Sequence, residues 1–178
     1  MIIAISGLSG CGKNTVGERV AQKLRLRPIR ISFKDEAAKA GMTLMEYQQL
    51  ASKDERLDRE LDARIVEEAK EGDCVIMTWL GPWMVKNCDL RVWLNTSEEE
   101  RARRVAKRDG MSEEEALAHI RERDANNRER YMRYYKINID DRRMFDLEIN
   151  TDRFTAEQAA ELIAEAAELR RPRKYELG

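Results

Sequence analysis

Cysteine is scarce in this chain: of 178 residues only Cys11, Cys74 and Cys88 carry a thiol, and His119 is the sole histidine. An odd number of cysteines with no close-paired spacing excludes a disulfide framework and a zinc pattern, so incidental or buried thiols are expected and no direct metal site. Long hydrophobic runs are missing as well. The apolar stretches are strand-sized, well short of the roughly 20 residues of a membrane-spanning helix, and the opening MIIAIS has neither the basic flank nor the length of a signal peptide. A cytoplasmic protein with no membrane partner is the expectation. Nor does charge of one sign dominate: 33 basic and 34 acidic residues leave a net −1, which excludes a global field for nucleic acid and leaves anion binding to local clusters. There is no internal repeat, low-complexity linker or Pro/Gly-rich boundary, and only the C-terminal RRPRKYELG reads as a frayed tail. Residues 1–178 suit one sizeable core, expected as a single domain and a monomer.

What is present is an alternation of short β-type runs with helical stretches. The runs are IIAIS at 2–6, PIRIS at 28–32, CVIMTW at 74–79, LRVWL at 90–94 and LEIN at 147–150. Strands that alternate with helices predict an α/β fold, a parallel sheet with helices on both faces. Thr43/Glu46, Ser97/Glu100, Ser112/Glu115 and Thr155/Gln158 have capping-box spacing, each marking a helix start. About forty residues separate the second run from the third and about fifty the fourth from the fifth, too many for simple crossovers. Both stretches are candidate mobile inserts.

Directly after the first run stands GLSGCGKNT, comprising Gly7, Leu8, Ser9, Gly10, Cys11, Gly12, Lys13, Asn14 and Thr15. Gly7, four residues, then Gly12 and Lys13 is P-loop spacing. Backbone N–H groups of such a loop converge on phosphates, the following helix start adds a positive dipole end, and Lys13 adds a mobile cation. Asn14 occupies the position where a hydroxyl normally meets Mg²⁺, and Thr15 supplies a hydroxyl one residue later. That displacement resembles adenylate-kinase-type nucleoside monophosphate kinases, in which phosphates and water chiefly hold the metal, so Thr15 would reach it through water. The chain has no Asn-Lys-x-Asp or Asp-x-x-Gly of a GTPase, and no apolar strand ends in a metal-holding acid. Both omissions point away from hydrolysis.

Arginine carries the remaining signal. Arg104 and Arg108 lie four apart, on one helix face, and Arg123, Arg128 and Arg130 follow, a set able to converge as forks on phosphate oxygens or to form a solvated, salt-bridged helix. Lys34 and Asp35 fall at the carboxyl end of the second strand, where open α/β sheets bind ligands, although an acid at a helix start is also stabilising by itself. Asp58, Arg59 and Asp62 share one helix face and suit either a nucleoside or a surface network. Trp79 and Trp83 flank LGP just past the third run, to cover a base or simply to pack.

Longer segments carry a family resemblance. LDRELDARIVEEAKEGDCVIM, DLRVWLNTSEEERARRVAKRDGMSEEEAL, RERDANNRERYMRYYKINIDD and FDLEINTDRFT, in that order, resemble the archaeal-type cytidylate kinases, within the nucleoside monophosphate kinases. The resemblance runs over roughly residues 1–160. It implies a three-layer P-loop kinase fold on a five-stranded parallel core, with a monophosphate-binding insert near residues 34–71 and a lid near residues 109–138. It also implies MgATP-dependent phosphorylation of CMP and dCMP, with Arg123 and Arg130 on the acceptor and transferring phosphates, and Arg104 and Arg108 nearer ATP. Where many members have Glu-Gly-Arg at the end of the third strand, this chain has Met77-Thr78-Trp79, and where related bacterial enzymes have a cytosine-contacting acid, Asn127 stands. Lys34, Asp35, Asp58, Arg59, Asp62, Trp79, Trp83 and Asn127 are therefore the substrate-binding candidates. Other readings are a kinase of another nucleotide, a kinase of a small hydroxyl compound with Asp35 as general base, and a nucleotide-binding regulator without transfer. Arg121, Arg123, Arg128, Arg130 and Arg133 in the lid are expected to repel one another until nucleotide anions sit among them.

Overall fold

A computed structural model describes residues 1–170, so the expected frayed tail, apart from its first residue, lies outside the described residues. The elements are β1 (Ile2–Ser6), α1 (Lys13–Leu24), β2 (Arg27–Ile29), α2 (Phe33–Lys39), α3 (Leu44–Ala51), α4 (Arg56–Ala69), β3 (Cys74–Met77), α5 (Gly81–Met84), β4 (Leu90–Asn95), α6 (Glu98–Asp109), α7 (Glu113–Tyr135), β5 (Leu147–Asn150) and α8 (Ala156–Arg170). All five strands are parallel, in the order β2-β3-β1-β4-β5. The central strand, β1, pairs Ile3 with Val75 on one side and Leu90 on the other, so its carboxyl end opens in the middle of the sheet edge. That is a switch point, where the next strand in sequence departs to one side and a later one lies on the other.

Both faces of the sheet are dry, which is why the strands read as unbroken apolar runs. Ile3, Ile5, Val75, Val92 and Leu94 face Val16 and Val20 of α1 and Ala159 and Ile163 of α8. The alternate residues, Ala4 and Ile76, face Ile65 and Ala69 of α4, together with Cys74 and Cys88. All three cysteines are buried free thiols, and burial pushes Cys88 up to about 11. Helix α1 lies so close to the sheet that a Cβ at Gly17 would stand 2.3 Å from Met77 Cγ. Met77 thus fills the gap under α1.

Local signals set the ends of most elements. Thr43 and Ser112 form complete capping boxes with Glu46 and Glu115, and Thr155 and Gln158 exchange the same two bonds at α8. Ser97 differs. Its hydroxyl caps the Glu100 N–H, but its own N–H donates to the Asp152 carboxylate at 3.0 Å, because Glu100 is engaged by Arg103 and Arg104. The second run is shorter than expected, since pairing stops at Ile29 and Ser32 turns to cap α2. Helices α2, α3 and α4 occupy the first insert, and the second consists of α6, the long α7 and the coil before β5.

Candidate active site

Residues 7–12 link β1 to α1 across the carboxyl edge of the sheet. Gly10 adopts φ +82°, and a Cβ there would lie 2.8 Å from the Arg101 carbonyl of α6, so glycine is required both for conformation and for space. The loop is also clamped. Arg101 and Asp124 form a buried ion pair at 2.6 Å, Arg101 Nη1 donates to the Ser9 carbonyl at 3.0 Å, and Ser9 N–H donates to Asp124 Oδ1 at 3.2 Å. One charge pair from α6 and α7 therefore satisfies both backbone groups of a phosphate-loop residue. Lys13, at the start of α1, has Nζ 3.2 Å from the Gly7 carbonyl and 5.3 Å above the Trp79 ring. Burial lowers its pKa, and no carboxylate lies within ion-pair distance of it among the described residues.

A cleft of about 480 Å³ opens beside this loop. Lys13, Asn14, Thr15, Lys34, Asp58, Asp62, Trp79, Arg104, Arg108, Arg123 and Asn127 of the sequence candidates line it, with Ser9, Gly10 and Gly12 of the loop. Gly7, Leu8 and Cys11 stand behind the loop, outside the lining. A second cleft, of about 390 Å³, lies on the other side of Gly12 and Thr15, between Cys11 and the turn Thr151–Phe154. Arg104 borders both, held by Glu100 at 3.0 Å and by the Thr151 carbonyl at 2.6 Å.

Five candidates sit elsewhere or otherwise than expected. Arg130 does not line the cleft: its side chain is 1 % exposed, with Nε 3.1 Å from Asp58 Oδ2 and Nη1 donating to Asn126 Oδ1 at 2.8 Å. Arg59 is on the outer face of α4, over the Tyr135 ring and 3.5 Å from Glu55. Asp35 accepts from the Ser32 hydroxyl at 2.6 Å, at the exposed start of α2. Trp83 packs edge-on against Phe145, with ring centroids 5.2 Å apart. Arg108 reaches the cleft but also grips the adjacent Asp109, which Lys34 approaches to 3.7 Å.

The mutual repulsion expected of the five arginines of α7 is offset at four of them by carboxylates of the protein. Arg121 pairs with Glu98, Arg128 with Asp140, Arg130 with Asp58 and Arg133 with Glu129. Arg123 has no such partner among the described residues, its Nε is a buried donor without an acceptor, and burial lowers its pKa. The acids of α4 are perturbed in the opposite direction. Burial raises Asp58, against the pull of Arg130, and burial raises Asp62 to about 7 even though the Tyr135 hydroxyl donates to it at 2.7 Å.

Arg101, Asp124 and Gln48 are site residues that sequence reasoning missed. A signal for Asp124 was available: extending the helical stripe of Ala116 and Ile120 lands on Asp124, Asn127 and Tyr131, all buried. Hydrophobicity alone fades along that stripe because polar groups fill its buried positions. Gln48, 1 % exposed in α3, has no sequence signature.

Residues 29–153 match the cytidylate kinase-like family model. A cytidylate kinase of Pyrococcus horikoshii is 43 % identical over 88 % of this chain and 83 % of its own, and one of Methanocaldococcus jannaschii is 36 % identical over 93 % and 97 %. Among solved structures, a shikimate kinase of Bacteroides thetaiotaomicron superposes with a TM-score of 0.61 at 21 % identity, over 94 % of this chain and 98 % of its own, a likeness of fold.

Proposed function

The chain belongs to the cytidylate kinase-like family, and from that premise we propose that it transfers the terminal phosphate of ATP to CMP or dCMP, giving CDP or dCDP and ADP. The observation that carries the reading is the pair of cations Lys13 and Arg123: both line one cleft, both are desolvated, and neither has a carboxylate partner among the described residues. A half-buried cation without a protein counter-ion is stabilised by a bound anion, and a phosphate suits both.

An oxygen of the acceptor monophosphate attacks the γ-phosphorus of ATP; the new P–O bond forms as the bond to the β,γ-bridging oxygen breaks, and ADP leaves with that electron pair. The attacking oxygen is already anionic, so no general base is needed and the protein's work is positioning and charge stabilisation. Lys13 and the loop N–H groups hold the β- and γ-phosphates. Arg123 faces the acceptor and transferring phosphates from α7, and Arg104 and Arg108 stand nearer ATP on α6, with Arg104 spanning the two clefts. The second cleft takes the nucleoside of ATP and the larger one the acceptor, so the phosphates meet over Gly12 and Thr15, which border both. No group of three or more Cys, His, Asp or Glu side chains suited to a metal occurs among the described residues. Mg²⁺ would be held chiefly by phosphate oxygens and water, and the Thr15 hydroxyl, which borders both clefts, would reach it through water. When bound, Mg²⁺ offsets charge on the transferring phosphates.

Helices α2–α4 form the acceptor-binding insert and α7 with its flanks the lid; the protein works as a cytoplasmic monomer on free nucleotides. Asp35, the base that an alcohol kinase would require, stands outside the cleft bonded to Ser32, which favours a monophosphate acceptor. The test is ATP consumption with CMP, dCMP, UMP, AMP and GMP in parallel. CMP and dCMP are expected to give the highest kcat/KM; equal or better turnover with AMP, or with a hydroxyl compound such as shikimate, overturns the assignment.

A further inference from the structure

Two buried amides meet on the wall of the larger cleft. Gln48 of α3 and Asn127 of α7 are 1 % and 2 % exposed, and Gln48 Nε2 donates to Asn127 Oδ1 at 2.9 Å. That bond consumes one polar end of each side chain. The other ends, Gln48 Oε1 and Asn127 Nδ2, have no partner, although each is buried. An acceptor and a donor left side by side in a protein interior are costly unless something else completes them.

The orientation of the pair is not free. Asn127 Oδ1 also accepts from Arg130 Nη2 at 3.1 Å, and a guanidinium can only donate, so the oxygen of Asn127 must face Arg130 and its NH₂ must face away. Arg130 is itself held against Asp58, Nη2 to Oδ1 at 3.1 Å, and lies 4.7 Å over the Phe33 ring. With Asn127 set, its oxygen draws the NH₂ of Gln48 toward it and leaves Oε1 without a partner. The chain Asp58–Arg130–Asn127–Gln48 thus fixes a pattern of acceptor beside donor.

Resting on the reading of the cleft as an acceptor-nucleotide site, we propose that Gln48 and Asn127 read the edge of the acceptor base. Gln48 Oε1 accepts from an exocyclic amino group, Asn127 Nδ2 donates to the ring nitrogen beside it, and Arg130 is a positioning residue that sets both amides. Cytosine offers an amino group next to an unprotonated ring nitrogen and satisfies both atoms. Uracil offers a carbonyl next to a ring N–H, the reverse at both places. Accommodating it would require both amides to turn, which would set the NH₂ of Asn127 against the Arg130 guanidinium. Adenine carries the cytosine-like order, so the pair separates amino from keto bases and leaves ring size to the shape of the cleft.

The test compares the full-length protein with Gln48→Leu, Asn127→Leu and Arg130→Lys, measuring calorimetric binding of CMP and UMP, and kcat/KM with each, on variants shown to be folded by melting. Wild type is expected to favour CMP, and each leucine variant to lose at least tenfold of the CMP-to-UMP ratio, mostly on the CMP side, because a site built to hydrogen-bond is left with an unpaired group. Arg130→Lys keeps a cation beside Asp58 but loses the fork on Asn127, and its ratio should fall too, which a purely structural role would not produce. Gln48→Met, with the length of the side chain kept, stands in if leucine does not fold. Equal binding of CMP and UMP by the wild type, or an unchanged ratio in the folded leucine variants, overturns the proposal. Selective binding of CMP without phosphate transfer would uphold the amide pair while removing the transferase reading.

Discussion

Thr15 and Asn14 carry the plainest contrast at the residue scale. Both are exposed at the start of α1, but Thr15 borders both clefts and Asn14 only the larger. Thr15→Val should therefore lower kcat/KM for MgATP by more than Asn14→Ala, by about 1–3 kcal/mol of transition-state stabilisation for a lost hydroxyl contact; the opposite order would return the metal shell to Asn14. Asp62 supplies a second test, through pH. Its folded pKa is raised to about 7 from 3.8, so between those values the folded state holds a proton that the unfolded state has released. Stability from this group is complete below pH 4 and is lost as pH rises toward 7, with a slope of at most about 1.4 kcal/mol per pH unit. Relative to wild type, Asp62→Asn should gain stability across that window and level off above it, as followed by urea melts at each pH; parallel curves would mean that Asp62 titrates normally. At this scale the sequence was legible where a function imposes spacing on one short segment, as in the loop from Gly7 to Thr15. It was opaque at Gln48 and Arg101, whose roles come from partners 79 and 23 positions away.

Elements were legible where burial or capping leaves a local trace. The strands show as apolar runs because the sheet is covered twice, and three of the four capping boxes form as spaced. Helix α7 was legible as a helix and illegible as an interface, because Asp124, Asn127 and Arg130 take buried positions that hydrophobic residues usually hold. Their burial is possible only because other helices bring partners: α6 brings Arg101, α3 brings Gln48 and α4 brings Asp58. Removing one member should be severe. Asp124→Ala would leave Arg101 charged and buried and free the Ser9 N–H, at a cost of about 3–5 kcal/mol, whereas the double change Arg101→Met with Asp124→Leu should recover much of that stability but not the loop's hold on ATP. Denaturant melts and ATP titration would check both halves; a double variant with wild-type ATP affinity would make the clamp dispensable for binding.

For the whole molecule, the strand order delivers β1 and its loop to the centre of the sheet edge, with the insert of α2–α4 on one side and α6–α7 on the other. No single stretch of sequence announces that meeting, since Arg123 lines the same cleft as the loop from more than a hundred residues away. Helix α7 is anchored along its length, by the Ser112 box at its start, by Asp124 on the loop, and by Tyr135 on Asp62 at its end. Arg123 and Asn127, four residues apart on it, are therefore separated by about 6 Å of helical rise. If the first meets a phosphate and the second a base, α7 is a gauge, and the length of a nucleoside monophosphate is written into its pitch. A nucleoside without phosphate would leave one end of the gauge empty, and a diphosphate would overrun it. Inserting one alanine between the two positions would turn one against the other by about 100°, so that base and phosphate could no longer be measured together.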